Sequence, residues 1–183
     1  MIIKNRSKKI FKKKYLDFVI KLIPSDCNKI LDMCCGSGDF VELLSKKGYD
    51  VEGVDYNKDA IKKAKELYNN KYSQGDIRKW EPTEKKDLII VMDAFYEFKK
   101  ELRIEIINRL KQYLNPGGYF LITIPYSKRY VKPSKESPVP KYNSDIKNEL
   151  THMMPLDTYI EWSLIDWENY EDMNKGIVIL KNI

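Results

Sequence analysis

Apolar residues recur along this chain at two spacings that take turns. Phe11, Tyr15, Phe18, Val19 and Leu22 fall at helical intervals, and Pro24 closes that segment. The run KILDM (29–33) then reads as a short buried strand. Beyond the glycines, Phe40, Val41 and Leu44 predict a helix ending at Gly48, followed by the strand YDVEGVD. Asn57 is placed to cap a helix whose apolar face is Ala60, Ile61, Ala64, Leu67 and Tyr68. A brief third strand fits YSQGD. DLIIVMD is a fourth, apolar through its middle as a parallel strand covered on both faces must be. Leu102, Ile106, Leu110, Tyr113 and Leu114 make the next helical face, NPGG (115–118) is a turn signal, and YFLITIP is strand five.

Strands alternating with helices in this way specify an α/β domain with a mostly parallel sheet. Right-handed crossovers bring the carboxyl ends of the strands to one rim, where open α/β sheets bind ligands. Gly36 and Gly38 follow strand one, and Asp55, Asp76 and Asp93 come at the ends of strands two, three and four. The alternation stops after strand five. Residues 126–155 are rich in Lys, Pro, Ser and Tyr and read as a long loop or substrate lid. Leu156 to Trp162 suggest a short helix. LIDWENYE and GIVILKNI then read as two strands across the link DMNK, an antiparallel hairpin at the sheet's edge.

Composition narrows the class without changing that outline. The 183 residues suit one domain spanning 1–183, with 43% hydrophobic and 33% charged residues, as in soluble globular proteins. No apolar run approaches the ~20 residues of a membrane span, so we expect a cytoplasmic protein with no membrane partner. The net charge of +6 is uneven. Lys4, Arg6, Lys8, Lys9, Lys12, Lys13 and Lys14 precede the first acid, so the rest of the chain sums to −1. A basic arm over 1–14 can touch nucleic acid, and it reads equally as a solvated tail, which we favour. Three cysteines and one histidine do not supply the spaced ligand pairs of a structural zinc site, so no metal is expected. The adjacent Cys34 and Cys35 read as small, reduced fillers.

Those cysteines lie in LDMCCGSGDF, whose Gly36 and Gly38 match two positions of a dinucleotide turn while Val41 occupies the third. A pyrophosphate there would face Asp32, just before the turn, which favours a ligand with positive groups instead. S-adenosylmethionine carries an ammonium and a sulfonium and no phosphate. Its ribose needs an acceptor for two hydroxyls, and Asp55 is placed for that. A nicotinamide oxidoreductase ranks third on the same grounds.

ILDMCCGSGDF together with VEGVDYNKDAI resembles the first two motifs of class I S-adenosylmethionine-dependent methyltransferases. GDIRKW, DLIIVMDAF and LNPGGYFLITIP resemble the later ones, in the same order, over residues 29–125. The resemblance implies a three-layer α-β-α sandwich whose seven-stranded sheet has an antiparallel last strand. It implies that Asp32, Cys34, Gly36 and Gly38 surround the methionine part of the cofactor and that Asp55 takes the ribose hydroxyls. Tyr56 would flank the adenine, Asp76 and Ile77 would contact its ring, and Met92 and Asp93 would approach the reactive end. Cys34 departs from the family's glycine, so the first residue of the turn is expected to sit differently.

Methyl transfer asks mainly for proximity and orientation. A base is needed only where the acceptor must lose a proton, and the candidates are Asp93, Glu97, Tyr126 and His152. The stretch DAFYEF lacks the Asn/Asp-Pro-Pro-Tyr pattern that family members use to grip planar amines. A small-molecule acceptor is therefore the leading expectation. An RNA methyltransferase steered by the basic arm is the alternative, and a non-catalytic S-adenosylmethionine-binding protein is the reading from another class.

Overall fold

The computed structural model of the protein describes residues 13–126, 154, 156–166 and 171–182. Helix α1 (13–21) is followed by β1 (Lys29–Met33), α2 (Asp39–Lys46), β2 (Asp50–Asp55), α3 (Lys58–Leu67) and β3 (Lys71–Gln74). Then come β4 (Lys86–Met92), one 3₁₀ turn (Phe95–Glu97), α4 (Lys100–Lys111), β5 (Leu114–Tyr126), β6 (Leu156–Asp166) and β7 (Glu171–Lys181). The strands form a seven-stranded sheet in the order β3-β2-β1-β4-β5-β7-β6. β1, β2, β3, β4 and β5 pair in parallel, while β7 runs antiparallel to both β5 and β6.

Alternate residues of each central strand serve opposite faces of this sheet. Ile30, Val51, Leu88, Ile90 and Leu121 pack under α1, α2 and α3, with Val19, Leu44 and Ala64 fully buried. Leu31, Met33, Ile89, Val91 and Ile122 pack instead against Ile106, Ile107 and Leu110 of α4. Burial on both faces is why the central strands carry almost unbroken apolar runs. The three layers follow directly. Because β1 lies between β2 and β4, the strand order reverses there, and the crevice over its carboxyl end is where such sheets take ligands.

Several local expectations need correction. Leu156 to Trp162 is not helical: it opens β6, where Thr158, Tyr159 and Ile160 are residues suited to a pleated strand. DMNK is no link, since those residues lie inside β7, whose Asn174 pairs with Ser163. NPGG falls within β5, where an irregularity between Lys86 and Leu88 takes up the left-handed Gly117. Gly118 stays because a Cβ there would meet the Asn115 and Asp87 carbonyls. Leu67 is exposed rather than part of the α3 core face, and Leu114 belongs to β5. Lys13 and Lys14, assigned to the arm, open α1, and the arm's other residues lie outside the described ones. So does most of the expected lid (126–155): Tyr126 ends β5, and Met154 is buried with the α4-side core. Among the described residues no helix is long and apolar enough to cross a membrane.

Candidate functional site

The turn after β1 is tied to the end of β2 by backbone. Both Cys34 and Cys35 donate their amides to the Val54 carbonyl, at 2.7 and 3.0 Å. Cys34 holds φ 66, the left-handed region that glycine enters freely and other residues enter at about 1–2 kcal/mol. Cys34 therefore holds a conformation that glycine enters freely, despite its side chain. The geometry is over-determined by two amide bonds, and the side chain conforms. Gly36 follows with φ 54 and nothing within 4 Å of where a Cβ would stand, so its face is open. Gly38, with φ 80, is the N-cap of α2, and a Cβ there would overlap the Tyr72 ring.

Asp55 organises the same turn from the neighbouring strand. One carboxylate oxygen accepts the Gly36 amide at 2.8 Å and the other accepts the Asn57 amide at 2.9 Å. Asn57 in turn caps α3, its side chain accepting from the amides of Asp59 and Ala60. Each Asp55 oxygen has a lone pair left over. Next to it Tyr56 is 72% exposed, an aromatic face held out at the rim by a strand end.

Asp32 lies beneath the turn, 2% exposed, and its Oδ1 has no hydrogen-bond partner. Loss of water and the nearby Asp55 charge push its carboxyl up to about 8. A buried acceptor left open in this way is costly unless a donor arrives. Cys34 stands among the carboxylates of Asp55, Asp32, Glu97 and Asp76, and burial together with those charges pushes its thiol up to about 12. Cys35 is raised further, chiefly by burial. Neither thiol has the lowered pKa of a nucleophile or a metal ligand. All three cysteines are free, and among the described residues no group of His, Cys, Asp and Glu is arranged to hold a metal.

The loop after β3 completes one side of the crevice. Asp76 is paired with Arg78, and that hydrogen bond is the main reason its carboxyl is lowered to about 2. Ile77 is buried, and the Arg109 guanidinium of α4 donates to the carbonyls of Ile77 and Trp80. On the other side, Met92 packs half-buried at the end of β4. Asp93 follows with φ 52, held by Thr123 of β5. The Asp93 amide donates to the Thr123 carbonyl and hydroxyl, both at 3.1 Å, and the hydroxyl donates back to Asp93 Oδ1 at 3.0 Å.

The structure thus gathers Asp32, Cys34, Gly36, Gly38, Asp55 and Asp76 around one crevice, with Glu97 close enough to act on Cys34. Asp93 stands at the end of the adjacent strand. His152 lies outside the described residues. Sequence reasoning missed Tyr15, Thr123 and Arg109. Tyr15 was counted only as one apolar position of a helix, and its ring is indeed buried, but its hydroxyl lies beside Thr123 and near Asp93. Thr123 was the one signal available: a lone hydroxyl in the apolar run FLITI.

Comparison with known proteins places the chain in a family. The model of a methyltransferase domain matches residues 5–163. The "Probable S-adenosyl-L-methionine-dependent methyltransferase TehB" of Haemophilus influenzae is 31% identical over 159 residues, covering 84% of this chain and 52% of that protein. "Probable thiol methyltransferase 2" of Arabidopsis thaliana is 33% identical over 116 residues, covering 59% of this chain and 51% of its own length. The chain spans about half the length of these curated relatives. Among solved structures, the PH0226 protein of Pyrococcus horikoshii OT3 superposes with a TM-score of 0.77 at 19% identity, over 96% of this chain and 91% of that one, a likeness of fold. With more than half of its length matched by the family's model, the chain belongs to the methyltransferase domain family.

Proposed function

We propose that the protein binds S-adenosylmethionine in the crevice over β1 and transfers its methyl group to a small-molecule acceptor. The observation that carries this reading is Asp32: a buried acid with an open oxygen, set under a glycine turn whose Gly36 face is bare. A cationic donor suits that position and a pyrophosphate does not. When bound, the cofactor supplies a methyl carbon already activated by its sulfonium. The chain's own residues then hold and orient. Asp32 would meet the ammonium, the spare lone pairs of Asp55 would accept ribose hydroxyls, and the exposed Tyr56 ring would cover the adenine. Asp76 and Ile77 would line the adenine edge, with Arg109 fixing their loop. Met92 and Asp93 would border the acceptor. Asp93, Tyr126 and His152 are the groups we put forward to accept a proton from it, where one must leave.

A small acceptor is supported by the relatives, one of which is named as a thiol methyltransferase. The alternative is RNA, steered by the cations before Tyr15. Incubation with methyl-labelled S-adenosylmethionine should transfer label to a small thiol and not to bulk tRNA or rRNA. Label on RNA that disappears when residues 1–9 are deleted would reverse the assignment.

A further inference from the structure

The turn between β1 and α2 is held from two sides. Its first half is tied to β2, where the Val54 carbonyl takes the Cys34 and Cys35 amides and Asp55 takes the Gly36 amide. Its second half, where α2 begins, is held by the segment that joins α3 to β3. Tyr68 donates its hydroxyl proton to Asp39 Oδ1 at 2.9 Å, and Asn70 donates its side-chain amide to Glu42 Oε2 at 2.8 Å. Tyr72 donates its hydroxyl proton to the Gly38 carbonyl at 3.3 Å. Residues 68, 70 and 72 thus clasp three points of one helical turn. The Tyr72 ring is buried and occupies the space that a side chain at Gly38 or Gly53 would need.

The clasp lies on the same face of the sheet as Asp32. Ile30 packs with the core under α2, so Asp32, two residues on, belongs to that face as well. The register partner of Asp32 is Gly53, where a Cβ would meet the Tyr72 ring, Val41 of α2 and Cys35 Sγ. The buried carboxyl with its open Oδ1 is therefore set on the side that carries the start of α2. The first turn of α2 holds two acids, Asp39 and Glu42, which would repel an anionic group brought to it. Both accept hydrogen bonds from the clasp, and Glu42 is also paired with Lys46.

We propose that Tyr68, Asn70 and Tyr72 are positioning residues for the amino-acid end of the cofactor, acting through the start of α2, while the half of the turn tied to β2 serves the adenosine end. This rests on the cofactor assignment above. A ligand with an ammonium and a carboxylate on one short chain needs Asp32 and the α2 turn at a fixed spacing. The clasp sets that spacing by tying α2 to β3, which is itself paired with β2. Loosening it displaces one end of the site and spares the other.

Two ligands separate the halves: S-adenosylhomocysteine, and methylthioadenosine, which keeps the adenosine and thioether but has no amino-acid chain. Calorimetry on the full chain should show Tyr68→Phe, Asn70→Ala and Tyr72→Phe each weakening S-adenosylhomocysteine about two- to tenfold, with methylthioadenosine unchanged. Asp55→Ala should weaken both ligands. The two Phe variants keep their rings, and thermal melts on all three identify any that has lost its fold. Equal losses of the two ligands in the clasp variants, or no loss of either, would overturn the proposal and leave the cofactor site standing. A parent protein that takes S-adenosylhomocysteine but not methylthioadenosine would also overturn it, because the half tied to β2 would then hold nothing by itself. Failure of the parent to bind either ligand would overturn the cofactor assignment too.

Discussion

Asp32 is the residue at which burial and like charge act most directly on the site. Its neighbours are Asp55 from β2 and the thiols of Cys34 and Cys35, which burial keeps protonated, so nothing among them offers a compensating positive charge. The folded protein therefore holds a proton on Asp32 that the unfolded chain loses near pH 4. A raised carboxyl contributes stability that is fully present below the unfolded value and is lost as pH climbs through the folded one, here about 8. Denaturant titrations of the free protein should show stability falling across that window, and Asp32→Asn should flatten the fall. A pH slope the same in both proteins would put the titrating group elsewhere. The acid before the glycines was legible from the sequence. Its orphaned oxygen was not, because that depends on which amides the turn directs to Val54 and Asp55.

At the scale of the elements, the turn from β1 to α2 separates two uses of glycine. Gly38 is needed by the fold: φ 80 and the Tyr72 ring both exclude a side chain. At Gly36 the backbone is left-handed but the space beside it is clear, and we assign that bare face to the proposed ligand. Gly38→Ala should therefore cost about 2–4 kcal/mol of stability, from backbone strain plus overpacking. Gly36→Ala should cost about 1–2 kcal/mol yet weaken S-adenosylhomocysteine binding more than tenfold. Thermal melts and calorimetry on both variants check this, and equal affinity in Gly36→Ala and the parent would move the ligand off the turn. The elements themselves were legible wherever burial imposes a clean period. KILDM matches β1 residue for residue, and Asn57 caps α3 as expected. β6 was misread because it is an edge strand. Apolar and polar residues mix along it, and Leu156 with Ile160 mimics a helical pair. Its state is set by pairing with β7, a contact remote in sequence.

For the molecule as a whole, the alternation of strands and helices was enough to place three acids and a glycine turn on one rim. The seven-stranded sheet, with β7 antiparallel, is what the family resemblance implied. What could not be read from the chain is the way distant elements lock the rim. Arg109 of α4 pins the loop after β3, and Thr123 of β5 holds Asp93 from 30 positions away. Local periodicity records only that such residues face inward, so their polar ends escape notice. The central claim is that this rim takes a phosphate-free, positively charged adenosyl ligand, and one titration series tests it most directly. Isothermal calorimetry on the full chain should give micromolar binding of S-adenosylhomocysteine and no binding of NADH. Asp55→Ala should weaken the former by roughly 2–3 kcal/mol, the worth of its charge-assisted hydrogen bonds. NADH binding tighter than S-adenosylhomocysteine, or an affinity for the latter untouched by Asp55→Ala, would contradict the account.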